Sequence, residues 1–272
     1  MNIVSYINRP APLPYPYPPS WSPYILFANG VYGAWYDPSD LTTLFQDAAG
    51  TIPVTEDGQP VGLMLDKSGN GQHLTQPVAA SKPVYRTDGT LHWLEFDGVD
   101  DCLLNLTFNE FANGQVTIVS GLQLNESRVG NQFIVETKRG SAVDDNCFSV
   151  YTLGGDQPSF AAQAKGNGST NRSASSIRKD VPILSVVTMV SSSGETAASG
   201  LIIRENIAQT GASTASQGGG AYNGPLYVGR RTNSQGAAAI NLYGLILRGL
   251  ITEGEALINS EEWMADKSGV TL

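Results

Sequence analysis

From about Ile25 onward the chain is a succession of short runs rich in β-branched and aromatic residues, set apart by clusters of Gly, Asn, Asp and Ser. The runs are Trp93–Phe96, Gln115–Leu124, Asn131–Glu136, Cys147–Thr152, Pro182–Val190, Gly200–Glu205, Pro225–Gly229 and Ile240–Leu247. Many alternate in polarity, which lines one face of a strand with apolar side chains. Short alternating runs with turn residues between them predict an all-β sandwich or barrel, because βαβ units would place helical spacing between the strands. No internal repeat at a fixed period is visible. The Ser-, Thr- and Gly-rich stretches at 166–176 and 210–220 read as long surface loops.

Composition agrees with that reading. A single sandwich with a short extension accounts for 272 residues. The apolar content of 41% can fill a core, which a disordered chain could not do. Charged residues make up only 15%, and thirty glycines with many Ser, Thr and Asn take their place. One helix is signalled near the C-terminus. Thr252 and Glu255 form a capping-box pattern, and Ala256, Leu257, Ser260, Trp263 and Met264 follow on one helical face. Lys267 and Gly269 supply the last-turn cation and the stop.

The other marked segment precedes the strands. Seven of the fifteen prolines fall between Arg9 and Pro23. Alternating prolines fix φ and keep the preceding residues out of the helical region, so an extended polyproline II arm is expected. The chain thus divides into an arm over 1–24 and a sandwich over 25–272. Pro14, Tyr15, Tyr17, Trp21 and Tyr24 either belong to a semi-rigid spacer or dock on a partner, since exposed rings need a surface to cover them.

Several functions are excluded or disfavoured. A formal net charge of −9 argues against nucleic acid, which requires a basic face. It suits a soluble protein, a neutral glycan or a divalent cation. Cys102 and Cys147 are too few for a disulfide scaffold, and two buried free thiols are the favoured reading over a cross-strand pair. No apolar run is long enough to span a membrane, and the N-terminus lacks the basic and apolar regions of a secretory signal. There is no Gly-x-Ser-x-Gly elbow, phosphate loop or Cys-x-x-Cys, and His73 and His92 are the only histidines.

Two acidic stretches remain. Asp66-Lys-Ser-Gly-Asn70-Gly is a turn cluster whose oxygens suit Ca²⁺, although an Asx-type turn would use the same residues without a metal. In Glu95-Phe-Asp97-Gly-Val-Asp-Asp101 the first two carboxylates share a strand face. That invites comparison with retaining glycosidases, whose carboxyl groups lie about 5–5.5 Å apart. Gly98 breaks the strand directly after them, which favours a turn.

Gly33-Ala-Trp-Tyr-Asp-Pro-Ser-Asp40 and its continuation to Val54, with Gln59 to Pro77, resemble a segment recurrent in bacteriophage virion proteins. Phe96-Asp-Gly-Val-Asp-Asp101 resembles an element of the concanavalin A-like (laminin G-like) superfamily. Tyr227–Arg230 and Leu242–Glu255 are similar to its closing strands and short helix. The resemblance runs from about Trp35 to Gly269 and implies a jelly-roll sandwich of two antiparallel sheets. It also implies a structural cation near Asp66 and Asp97, so Asp66, Asn70, Asp97 and Asp101 are the candidate Ca²⁺ ligands. Glucanases of this fold carry a further Glu after the Glu-x-Asp pair, and Asp100 and Asp101 stand there instead, so no enzymatic activity is expected. The resemblance implies a virion protein assembled in the host cytoplasm, with other virion proteins and copies of itself as partners. The leading expectation is a tail-fibre or baseplate adhesin presenting a glycan-binding sandwich to the host surface. The alternative is a capsid or tail decoration protein laced down by its arm.

Overall fold

The computed structural model describes residues 21–272 apart from 109–110, 112–113, 138–145, 167–170, 176, 178, 193–199, 216–217, 219–221, 223 and 232–235. Two antiparallel sheets face each other. The first runs β15 (Ala208–Ser213), β14 (Gly200–Glu205), β13 (Ile183–Ser192), β8 (Gln115–Leu124), β17 (Ala239–Arg248), β6 (His92–Asp97) and β5 (Val84–Thr87). A short strand, β1 (Gly33–Tyr36), also pairs with β17. The second runs β12 (Asn171–Ala174), β11 (Ser159–Lys165), β10 (Cys147–Leu153), β9 (Gln132–Thr137) and β16 (Leu226–Val228). It continues through β7 (Leu103–Asn105), β4 (Leu74–Thr75), β3 (Leu63–Met64) and β2 (Leu44–Phe45). Strands far apart in the chain are neighbours, as where β8 sits between β13 and β17.

Side-chain alternation decides what each face buries. In β8, Val116, Ile118, Leu122 and Leu124 enter the main core, where they meet Ile134, Phe148, Val150, Phe160 and Val228 of the opposite sheet. Val119 points the other way, into a second cluster with Val186, Val190, Ile246 and the helix α1 (Gly254–Ser268). The centre of the first sheet is therefore buried on both faces, which is why β8 and β13 are almost continuously apolar or small. Each fully buried large aliphatic or aromatic side chain contributes roughly 1.5–3 kcal/mol.

The helix lies close on this outer face because two glycines open a slot for it. Gly121 and Gly244 are cross-strand partners, and a Cβ at either would stand 3.0 or 2.8 Å from Met264 Sδ. Leu257, Ser260, Trp263 and Met264 are buried as the helical spacing predicts. Gly269 takes the left-handed conformation at the C-terminus, with φ 72° and its N–H on Ala265 O. The start differs from the capping box. Glu253 occupies the cap position without a side-chain bond. Thr252 is instead held to β8: its N–H donates to Thr117 Oγ1 at 2.8 Å, and its hydroxyl accepts from Arg248 Nη1 at 3.1 Å. Thr252 thus stands one residue before the cap position, with its hydroxyl turned to Arg248.

Both stretches read as loops contain strand. β12 pairs with β11, and β15 pairs with β14 at the sheet edge. Their small polar residues give no alternating apolar pattern, and backbone pairing alone makes them strands. Of the arm, Pro14, Tyr15 and Tyr17 lie outside the described residues. Trp21 packs partly buried against the helix-side cluster. Pro23 and Tyr24 are not extended: they open a 3-10 stretch over Pro23–Gly30, with Ser22 as its cap. Proline's fixed φ suits a first helical turn as well as polyproline II. Cys102 and Cys147 are both buried, and no disulfide joins them.

Candidate functional site

The acidic turn after β6 is the one group of carboxylates among the described residues arranged as metal ligands. Asp97 ends β6, and Gly98 follows at φ 72°, a conformation that turns the chain sharply. Asp97 Oδ1 accepts the N–H of Val99 at 2.7 Å and of Asp100 at 3.3 Å, and Asp101 Oδ2 accepts the N–H of Asp97 at 2.9 Å. Asp100 Oδ2 accepts the Ser81 hydroxyl at 2.8 Å. These bonds leave a second oxygen on each carboxylate, and ligand oxygens of Asp97, Asp100 and Asp101 lie within 4.8 Å of one another. The neighbouring guanidinium groups do not pair with these carboxylates: Arg230 donates to Asp100 O at 3.2 Å, and Arg128 donates to Gly98 O and pairs with Glu126 at 2.9 Å.

No ion pair among the described residues neutralises the three carboxylates, and Asp101 feels it. Burial raises its carboxyl to about 7. The charges of Asp97, Asp100 and Glu95 add to that, against the lowering effect of the Asp97 N–H. Such a group takes up a proton or a hard cation. Oxygen-only donors suit Ca²⁺, which takes 6–8 oxygen ligands, so three carboxylates with waters and carbonyls would make a partial shell.

The four residues expected as ligands do not form one site. Asp97 and Asp101 come together, with Asp100 as the third member. Asp66 and Asn70 belong elsewhere, in a loop tied to β1. Asp66 Oδ1 accepts the N–H groups of Trp35 and Ser68 at 2.9 and 2.8 Å. Its Oδ2 accepts the Ser68 hydroxyl at 2.7 Å and the Gln72 N–H at 3.0 Å. Asn70 Nδ2 donates to the carbonyls of Val31 and Gly33 at 3.1 and 3.0 Å. With two donors on each oxygen, the Asp66 carboxylate is satisfied by protein. The Asx-type alternative describes this loop.

Beside it stands a constellation that the sequence patterns did not single out. Lys67 reaches Asp37 at 3.3 Å and Asp40 at 2.7 Å, and Lys267 from the helix reaches Asp37 at 3.4 Å. Lys67 lies over the Trp35 ring, Lys267 over Trp263, and the two tryptophans meet edge to face at 5.7 Å. Against the raising effect of burial, the Lys67 and Thr42 hydrogen bonds hold Asp40 below the usual carboxylate range. The motif around Trp35 thus clamps the C-terminal helix to β1.

The carboxylate pair of β6 is occupied structurally. Glu95 pairs with Arg86 Nε at 2.6 Å, and Asp97 shapes the turn. Most aromatic rings serve the core. Among the described residues the strongly exposed ones are Tyr24 and Tyr32, at 64% and 59%, and both lie near the end of the arm.

Neither a family model nor a curated protein matches the chain. Among solved structures it is similar to Trypanosoma rangeli sialidase, with a TM-score of 0.53 and 10% identity over 88% of this chain and 33% of that one. It is also similar to the botulinum neurotoxin serotype G binding domain, with a TM-score of 0.52 and 10% identity over 74% of this chain and 48% of that one. The chain therefore spans a third to a half of these neighbours' length. At such identity the likeness concerns the fold. The molecule is a jelly-roll β-sandwich of two antiparallel sheets with one short C-terminal helix.

Proposed function

We propose that the chain is a non-enzymatic binding module of a bacteriophage virion, carried on a tail fibre or baseplate and presenting its sandwich to glycans of the host surface. The observation that carries this reading is the acidic turn at Asp97–Asp101. Three carboxylates that no ion pair among the described residues neutralises converge there on a rigid two-sheet frame, beside the exposed tips Val99 and Val129. Carboxylate oxygens accept hydrogen bonds from sugar hydroxyls or hold a cation that does so, and apolar tips suit the C–H face of a sugar. The lectin-like fold, the phage-like segment around Trp35, and the likeness to a sialidase and a toxin binding domain agree with it. The non-enzymatic part is supported by Glu95 and Asp97 being engaged with Arg86 and the turn backbone.

A glycan array and a host-cell adsorption assay test the reading, each run with Ca²⁺ and with chelator. Binding that falls at least tenfold in Asp97→Asn/Asp100→Asn supports it. A folded protein that retains no glycan and does not adsorb to cells ends it. Hydrolysis of host polysaccharide, lost in Glu95→Gln, would overturn the non-enzymatic part. Labelling intact particles for the chain checks the tail location.

A further inference from the structure

The outer face of the first sheet is covered by the helix over only part of its length. Met264 packs on Gly121 and Gly244, and Gly269 at the helix C-terminus stands against Leu91, just before β6. Beyond that point Trp93, Glu95 and Asp97 point outward in turn, since Leu94 and Phe96 enter the main core. Trp93 and Glu95 are half-buried and Asp97 is exposed. One end of this strip is therefore the helix terminus, and the other is the acidic turn.

Strand pairing joins these residues to their neighbours. Arg86 of β5 lies opposite Trp93, and Asn241 of β17 lies opposite both Glu95 and Gln123 of β8. Cross-strand partners share a face, so the side chains form one floor over four strands. The Trp93 and Tyr243 rings lie 5.6 Å apart, and Arg86 Nε meets Glu95 Oε2 at 2.6 Å. Asn125 Nδ2 donates to Asn241 Oδ1 and Gln123 Nε2 donates to Asn125 Oδ1, both at 2.8 Å. A β-bulge places Tyr243: Leu242 pairs with Leu122 and Gly244 with Gly121, so Tyr243 is the extra residue. Tyr243 can then join Trp93 while Gly244 still faces Met264.

The chemistry of the floor selects its occupant. Its polar groups are three amides, a carboxylate and a guanidinium, so donors and acceptors are mixed. An apolar partner would bury them without new hydrogen bonds, which is costly. An anion would meet Glu95, Asp97 and the Asp57 carboxylate that also pairs with Arg86. Sugar hydroxyls both donate and accept, and the C–H face of a sugar ring covers an aromatic ring. From Trp93 to Asp97 the strand rises about 13 Å, which exceeds one sugar ring.

We infer that this floor takes a neutral oligosaccharide laid along β6. One ring stacks on Trp93, the hydroxyls bond Asn241, Gln123 and Glu95, and the far end lies at Asp97. On the premise of glycan binding at the acidic turn, the ligand is then a stretch of several sugar units rather than one terminal sugar.

Isothermal titration calorimetry on the full chain tests it with neutral oligosaccharides of glucose, galactose, mannose and N-acetylglucosamine, from single sugars to hexamers. In at least one series the affinity is expected to rise about tenfold from monomer to trimer. Trp93→Ala should lose that gain and Trp93→Tyr should keep most of it. Gln123→Ala should weaken the trimer as well, and it reads the same floor if alanine at position 93 disturbs the fold by circular dichroism. Affinity that ignores chain length, or that survives Trp93→Ala and Gln123→Ala but falls in Asp97→Asn/Asp100→Asn, overturns the inference and leaves the acidic-turn reading standing. Binding lost in Trp93→Ala and unchanged in Asp97→Asn/Asp100→Asn supports the floor and removes the acidic turn from the site. A chain that binds no member of any series overturns both. Self-association in sedimentation equilibrium that Trp93→Ala abolishes would show a second copy on the floor, and would overturn it too.

Discussion

Arg204 on β14 and Glu261 on the helix form a two-toothed ion pair, Nε to Oε1 at 2.7 Å and Nη2 to Oε2 at 2.9 Å. Glu261 is fully buried, so this pair joins the helix to the first sheet beyond the reach of its apolar face. The planar guanidinium matches the carboxylate in a way a lysine ammonium could not.

Removing the arginine leaves a buried charge without its partner. Arg204→Met should therefore destabilise the protein by about 3 kcal/mol in denaturant unfolding. Arg204→Met/Glu261→Leu should recover most of that loss, because no charge is then stranded. A single variant within about 0.5 kcal/mol of the unaltered chain, the range of an ordinary surface change, would show that the pair is dispensable.

The acidic turn makes stability depend on pH in a definite sense. Asp101 holds its proton up to about 7 in the folded chain, against an ordinary value of 3.8. Between those values the folded state binds the proton and the unfolded state does not, so stability falls as pH rises. The contribution is complete below about pH 4 and is lost by about pH 7. Thermal melting across pH 4–8 should show this decline, and Asp101→Asn should flatten it. Added Ca²⁺ should raise the melting temperature at pH 8 in the unaltered chain but not in Asp97→Asn/Asp100→Asn.

Gly33 starts β1 at φ 145°, and a Cβ there would stand 2.1 Å from Leu247 O. Gly33→Ala should cost about 3 kcal/mol, since both the backbone conformation and the pairing with β17 are disturbed. Gly130→Ala, where a Cβ meets nothing within 4 Å, should leave the melting temperature unchanged.

The hairpin between β14 and β15 turns at Asn206 and Ile207, with φ 49° and 62°. A β-branched residue is strained there, whereas Asn-Gly is the preferred pair for a two-residue turn of this kind. Ile207→Gly should therefore stabilise the protein by about 1 kcal/mol, after the greater freedom of glycine in the unfolded chain is offset. Chemical denaturation measures the sign, and a loss would show that the Ile207 side chain is needed for packing.

How much was legible depended on the range of the interactions involved. Gln115–Leu124 and Gly200–Glu205 are strands with the bounds expected of them, because alternation and β-branched content act within a few residues. Gly269 stops the helix as expected for the same reason. Thr252 misled because its local pattern is a cap, while its partners Thr117 and Arg248 come from distant strands. The edge strands β12 and β15 were hidden because pairing with a neighbour, not their own composition, makes them strands.

The same division holds for the acidic residues. The sequence by itself determined a two-sided strand pattern, a closing helix and two Asp-containing turns, since each follows from local spacing and turn chemistry. Only the tertiary structure decided which carboxylates are spent. Three of the donors that satisfy Asp66 come from its own loop, and the fourth, the Trp35 N–H, is brought to it by strand β1 from thirty-one residues away. Asp97, Asp100 and Asp101 are left facing one another on a turn whose arginine neighbours bind carbonyl oxygens instead. Whether a carboxylate is a structural acceptor or a free ligand depends on donors supplied across the fold, and no local pattern carries that information.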